Sequence, residues 1–150
     1  MEALSQRGIL NVHSIPETRA TTSSRKAQWA GRVMSGLAIL FMAFDSVGKV
    51  LELTPFTQGT TQLGYAASAV FGLGLVELLC LVLYVIPRTS ALGAILLTGW
   101  FGGAIATHLH AGSPLFSHTL FPIYVAVLVW GGLFLRNERL RALLFPRVRE

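Results

Sequence analysis

Four apolar runs of about twenty residues, the length that crosses the hydrocarbon core of a bilayer, constrain this chain more than any other feature. They fall at approximately 29–53, 65–86, 90–109 and 119–135. Runs this long and this uniformly apolar do not alternate as barrel strands do. The expected fold class is therefore all-α, an integral membrane bundle of four transmembrane helices with short antiparallel connections. Composition agrees, since a 150-residue chain that is 53% hydrophobic and 13% charged is too apolar for an ordinary soluble domain.

Charge sets the orientation. Arg7, Arg19, Arg25, Lys26 and Arg32 precede or open the first run, Arg88 separates the second from the third, and Arg136, Arg139, Arg141, Arg147 and Arg149 follow the fourth. The connections TPFTQGTTQLG and HAGSPLFSH carry no Lys or Arg. The positive-inside rule then puts both termini and the Arg88 turn in the cytoplasm. Trp29, Tyr65 and Tyr84 fall near the expected interfaces, where aromatic belts form. The net charge of +5 lacks the aromatic interleaving that stacks bases, so no nucleic-acid partner is expected; the partner solvent is the lipid bilayer. Residues 1–28 have no continuous apolar core and read as a mobile cytoplasmic tail, residues 29–146 as the membrane domain, and residues 147–150 as a basic tail.

The runs differ in what they carry into the membrane. The first is continuously apolar only to Phe44, so it spans only if Asp45 and Lys49 enter too. Those two residues, with Glu52, are spaced to share one helix face. Either Lys49 neutralises Asp45 and snorkels outward, or the pair serves a ligand or proton path; Glu52 reads as an outer-interface residue. Glu77 lies near the middle of the second run with no basic residue within a turn. Its partner must come from another helix, Lys49 being a candidate, or its carboxyl stays neutral and donates a hydrogen bond. Cys80 and Tyr84 follow on its face. Cys80 has no second cysteine to pair with, which removes dithiol chemistry.

His108 ends the third run at a depth close to that of Lys49 and is expected to lid an Asp45/Lys49/Glu77 cluster, with His110 and His118 in the outer loop. The histidine spacing is not that of a metal site, and one histidine inside a span does not make a bis-histidine haem site. Gly99 and Gly103 have GxxxG spacing, which suits close helix packing inside the bundle or, as the alternative, in a homo-oligomer. No nucleophile elbow, HExxH or phosphate loop occurs.

The segments FDSVGKV (44–50), GLVELLCLVLYVIPRTSALGAILLTGWFGGAIATHLH (74–110) and LFPIYVAVLVWGGLFLRNERLRALLFP (120–146) resemble the DoxX-like family of small four-span bacterial membrane proteins. That resemblance implies the bacterial cytoplasmic membrane and an association with redox processes, since the wider family includes a subunit of a thiosulfate:quinone oxidoreductase. It transfers no catalytic role to any residue. Two functions are consistent with the residues. The chain is a redox-associated subunit binding a quinone or similar apolar molecule, with no intrinsic cofactor and a redox partner protein, or it is a non-catalytic carrier or assembly factor whose charged cluster fixes helix register or lines a small-solute path.

Overall fold

The computed structural model describes residues 25–138 and 140–141; most of the tail expected at 1–28, all of the basic tail at 147–150 and the last residues of the expected membrane domain lie outside them. Among the described residues the chain is helical and has no strand. Helix α1 (Arg25–Val50) is followed by a short helix α2 (Thr54–Gln62), a 3-10 turn (Ala67–Ala69), α3 (Val70–Val85), α4 (Ser90–His110), a π-helical turn (Leu115–Thr119) and α5 (Phe121–Arg136). Four segments, Arg25–Val50, Ala67–Val85, Ser90–His110 and Leu115–Arg136, are long and apolar enough to cross a bilayer. The expected four-helix membrane bundle is thus the observed fold. Large apolar side chains such as Leu40, Phe44, Leu79, Ile95 and Val127 remain exposed and meet lipid.

Local chemistry sets the ends. The residue before a proline is pushed to extended backbone, and Ile86 adopts φ −71°, ψ 121° ahead of Pro87, closing α3. Pro55 and Pro122 lie in the first turns of α2 and α5, where a missing N–H costs nothing. Helix α4 ends in a Schellman motif: Gly112 takes φ +66°, its N–H reaches the Leu109 carbonyl and Ser113 N–H reaches the His108 carbonyl. Helix α1 ends the same way, with Glu52 N–H on the Lys49 carbonyl and Leu53 N–H on the Gly48 carbonyl. Here the left-handed position is held by Glu52 at φ 51°.

Helix α1 packs against α3 and α5, and α4 packs against the same two, so α1 and α4 stand on opposite corners of the bundle. Small residues bring the neighbours together. A Cβ on Gly31 would lie 2.8 Å from the Leu135 Cβ and 3.0 Å from the Gly132 carbonyl oxygen, and Gly132 in turn seats on Ser35. Gly93 of α4 seats on the backbone of Tyr84 in α3. The core between these contacts is built from Ala38, Met42, Leu81, Tyr84, Leu97, Phe101, Val129 and Leu133.

Several expectations need correction. Residues 25–28 are helical and extend α1, and Thr54–Gln62 of the TPFTQGTTQLG connection folds as α2, with Phe56 as its apolar anchor. Tyr84 is not an interfacial belt residue. It is fully buried, its hydroxyl donating to the Val129 carbonyl at 2.9 Å with Ser35 Oγ 2.9 Å away, which satisfies the polar tip inside the core. Gly99 and Gly103 do not seat a helix of the bundle, because a Cβ at either would meet nothing within 4 Å.

Candidate functional site

Polar residues of α1 and α3 meet where a glycine lets the backbones approach. Gly74 of α3 sits on the Ser46–Val50 segment of α1: a Cβ there would lie 2.6 Å from the Lys49 Cβ and 2.8 Å from the Val50 nitrogen. One helical turn further along α3 is Glu77. The Lys49 ammonium therefore lies within reach of two carboxylates, donating to Asp45 Oδ2 at 2.6 Å and to Glu77 Oε2 at 2.9 Å. Long side chains on a helix lean toward its N-terminus, which for Lys49 means back along α1 toward Asp45. Lys49 is consequently held between its partners and does not snorkel outward.

The three side chains form a gradient of exposure, from Asp45 at 28% through Lys49 at 15% to Glu77 at 0%. Glu77 Oε1 is buried and has no hydrogen-bond partner among the described residues. Across the bundle, the Trp100 ring of α4 stands 5.5 Å from Lys49 Nζ, a cation–π distance.

This cluster lines a cavity of about 860 Å³, within the size range of small-molecule sites. Its floor is Asp45, Lys49 and Glu77, and its walls are largely apolar and aromatic, from Phe41 and Met42 to Trp100, Phe101, Phe121 and Val125. Gly99 and Gly103 line it too, and their lack of side chains keeps the α4 wall thin. Helix α2 forms the remaining wall through Pro55, Phe56 and Thr60. It is anchored by the Phe56 ring, which fills the notch left by Gly48 and packs edge-on against Phe44 at 5.3 Å between centroids. Tyr65, just after α2, reaches α4 through its hydroxyl, 2.9 Å from Thr107 Oγ1.

His108 lines the same cavity but does not contact the charged cluster. Its Nδ1 lies 3.1 Å from Ser113 Oγ and its ring centroid 5.9 Å from that of His118, so the two histidines stand together away from the floor. Of the residues singled out in the sequence, Asp45, Lys49 and Glu77 are brought into contact, while His108, Gly99 and Gly103 share only the cavity. Glu52 is exposed at the α1 end. Trp100 and the α2 wall carry no polar anomaly or motif that marks them in the sequence, while His118, placed there in the outer loop, lines the cavity beside His108. Gly74 was detectable as a small residue one turn from a buried carboxylate.

Comparison with curated proteins gives no match, and comparison with solved structures gives none either. The family model described as the DoxX-like family matches residues 33–132, which is 100 of the 150 residues and takes in the cavity floor, Trp100 and His108. With that match over two thirds of its length and the four-span bundle beneath it, the chain belongs to the DoxX-like family.

Proposed function

We propose that this protein is a ligand-binding membrane subunit that holds a small amphipathic ring compound, best matched by a quinone, and acts with a redox partner in the bacterial cytoplasmic membrane. One observation carries the reading: a lysine ammonium, bracketed by two carboxyl groups, in a largely apolar and aromatic cavity. An ammonium has three N–H groups, and Lys49 commits two of them to protein. The third is available to a carbonyl oxygen of the ligand, while Trp100 and Phe101 present apolar rings to its body.

A quinone accepts two electrons and two protons when reduced. Asp45, the most exposed of the three ionisable groups, is placed to hand a proton between the cavity and Lys49 or Glu77. Glu77, sealed behind Lys49, holds the ammonium in place. Electrons come from a partner protein with its own flavin, haem or metal centre. The lysines and arginines at the α1 start, the Arg88 turn and the α5 end support an orientation with that end of the bundle in the cytoplasm and the α2 end outside.

The test is purification of the whole chain from its native membranes in mild detergent, with mass spectrometry of the organic extract, beside a Gly103→Phe variant. That substitution adds a ring where a Cβ has open space, so it fills the cavity without displacing a helix. A ring compound present with the wild type and lost from the variant is the expected result. Equal extracts from both would contradict the reading and favour a non-catalytic carrier or assembly role.

A further inference from the structure

The charged floor is short of hydrogen-bond donors. It has four carboxyl oxygens, from Asp45 and Glu77, against one ammonium. Lys49 serves one oxygen of each acid, Asp45 Oδ2 and Glu77 Oε2. Glu77 Oε1 has no partner among the described residues although its side chain is fully buried, and an unmet buried acceptor is costly. Asp45 turns partly exposed carboxylate toward the cavity. Phe41, Met42, Phe101, Phe121 and Val125 bring no donors to the wall, and the polar lining residues Thr60, Gln62, Thr107 and Ser113 make no hydrogen bond to Asp45 or Glu77 among the described residues.

We infer that the cavity selects a neutral amphipathic molecule with a hydroxyl head group, whose O–H donates to the Asp45 carboxylate while its oxygen accepts the third N–H of Lys49. This rests on the cavity being a ligand site. A hydroxyl is both donor and acceptor and so meets Asp45 and Lys49 at once, whereas an ether or carbonyl oxygen answers only Lys49. An anionic head group is repelled by the Asp45 carboxylate, and a protonated amine has no lone pair to accept from Lys49. Of the two redox forms of a quinone, this chemistry favours the reduced, hydroxyl-bearing one.

The experiment uses the full chain in detergent micelles with two probes of the same length, 4-nonylphenol and its methyl ether, and reads apparent affinity from the concentration dependence of the melting temperature. The phenol is expected to bind about tenfold more tightly than the ether, as loss of one charge-assisted hydrogen bond implies. In Asp45→Leu the acceptor is gone while the Lys49–Glu77 pair stays, so the ratio falls to about one. Equal binding of both probes to the wild type, abolished by Gly103→Phe, would overturn the hydroxyl inference and leave the cavity reading standing. If neither probe raises the melting temperature, both fall. A phenol preference that survives in Asp45→Leu would overturn the assignment of the phenol O–H contact to Asp45.

Discussion

Gly74 of α3 and Lys49 of α1 touch so closely that a Cβ on the glycine would stand 2.6 Å from the lysine Cβ. That contact places Glu77, one turn along α3, within 2.9 Å of the ammonium. Gly74 therefore positions the charged site as well as packing the bundle. Replacing it with valine must push α3 away from α1, at a cost of roughly 1–3 kcal/mol for overpacking. Gly72→Ala, two residues away where a Cβ meets nothing within 4 Å, is the control. Detergent melts should show a lowered midpoint for Gly74→Val and none for Gly72→Ala; matching midpoints would remove the positioning role.

Single changes in the cluster should rank by the charge imbalance that they leave. Lys49→Met leaves two carboxylates without a cation and is expected to cost roughly 3 kcal/mol or more. Glu77→Gln keeps the Lys49–Asp45 pair at 2.6 Å and a polar group on Lys49, so it should be milder, with Glu77→Leu between them. Thermal unfolding of the three proteins checks the order. A Lys49→Met protein as stable as Glu77→Gln would mean that the ammonium does not stabilise the two acids.

Glu52 holds a left-handed backbone at the end of α1, a conformation that costs a side-chain-bearing residue about 1–2 kcal/mol and glycine almost nothing. Glu52 is exposed and its carbonyl accepts from Thr57 Oγ1 at 3.2 Å, a bond independent of its side chain. Glu52→Gly should therefore raise the melting temperature. A fall would show that the carboxylate has a stabilising contact.

The charges flanking the spans predict the orientation proposed above. In a Cys80→Ser background, a cysteine at Arg88 should react with an impermeant thiol reagent only after the membrane is opened, and one at Gln58 on α2 without opening it. The reverse pattern would invert the topology.

Most of the fold was legible because hydrophobic length is a direct readout of bilayer thickness; the four spans differ from expectation mainly by a few residues at their ends. The charged cluster was legible for a related reason. A buried Glu77 with no local partner demands one from another helix, and Lys49 was the only basic residue deep in a span. Helix α2 was not legible, since a nine-residue polar segment gains its helix from docking Phe56 into the Gly48 notch, a tertiary contact. The GxxxG spacing of Gly99 and Gly103 does not mark packing within the bundle, because both glycines line the cavity and a Cβ on either meets nothing within 4 Å. His108 was expected at the depth of Lys49, yet the Lys49 ammonium stands beside Trp100, eight residues earlier on α4, and His108 stands beside His118.

The central claim is that Asp45, Lys49 and Glu77 exist for a ligand rather than for helix register. The measurement that bears on it most directly is the amount of ligand co-purifying with the triple variant Asp45→Asn, Lys49→Met, Glu77→Gln, which removes every charge from the floor and leaves none unpaired. The account predicts wild-type abundance in membranes, an unchanged helical circular-dichroism spectrum and no bound ring compound in the organic extract. A triple variant that folds equally well and retains the wild-type amount of ligand would contradict it and return the cluster to a structural role.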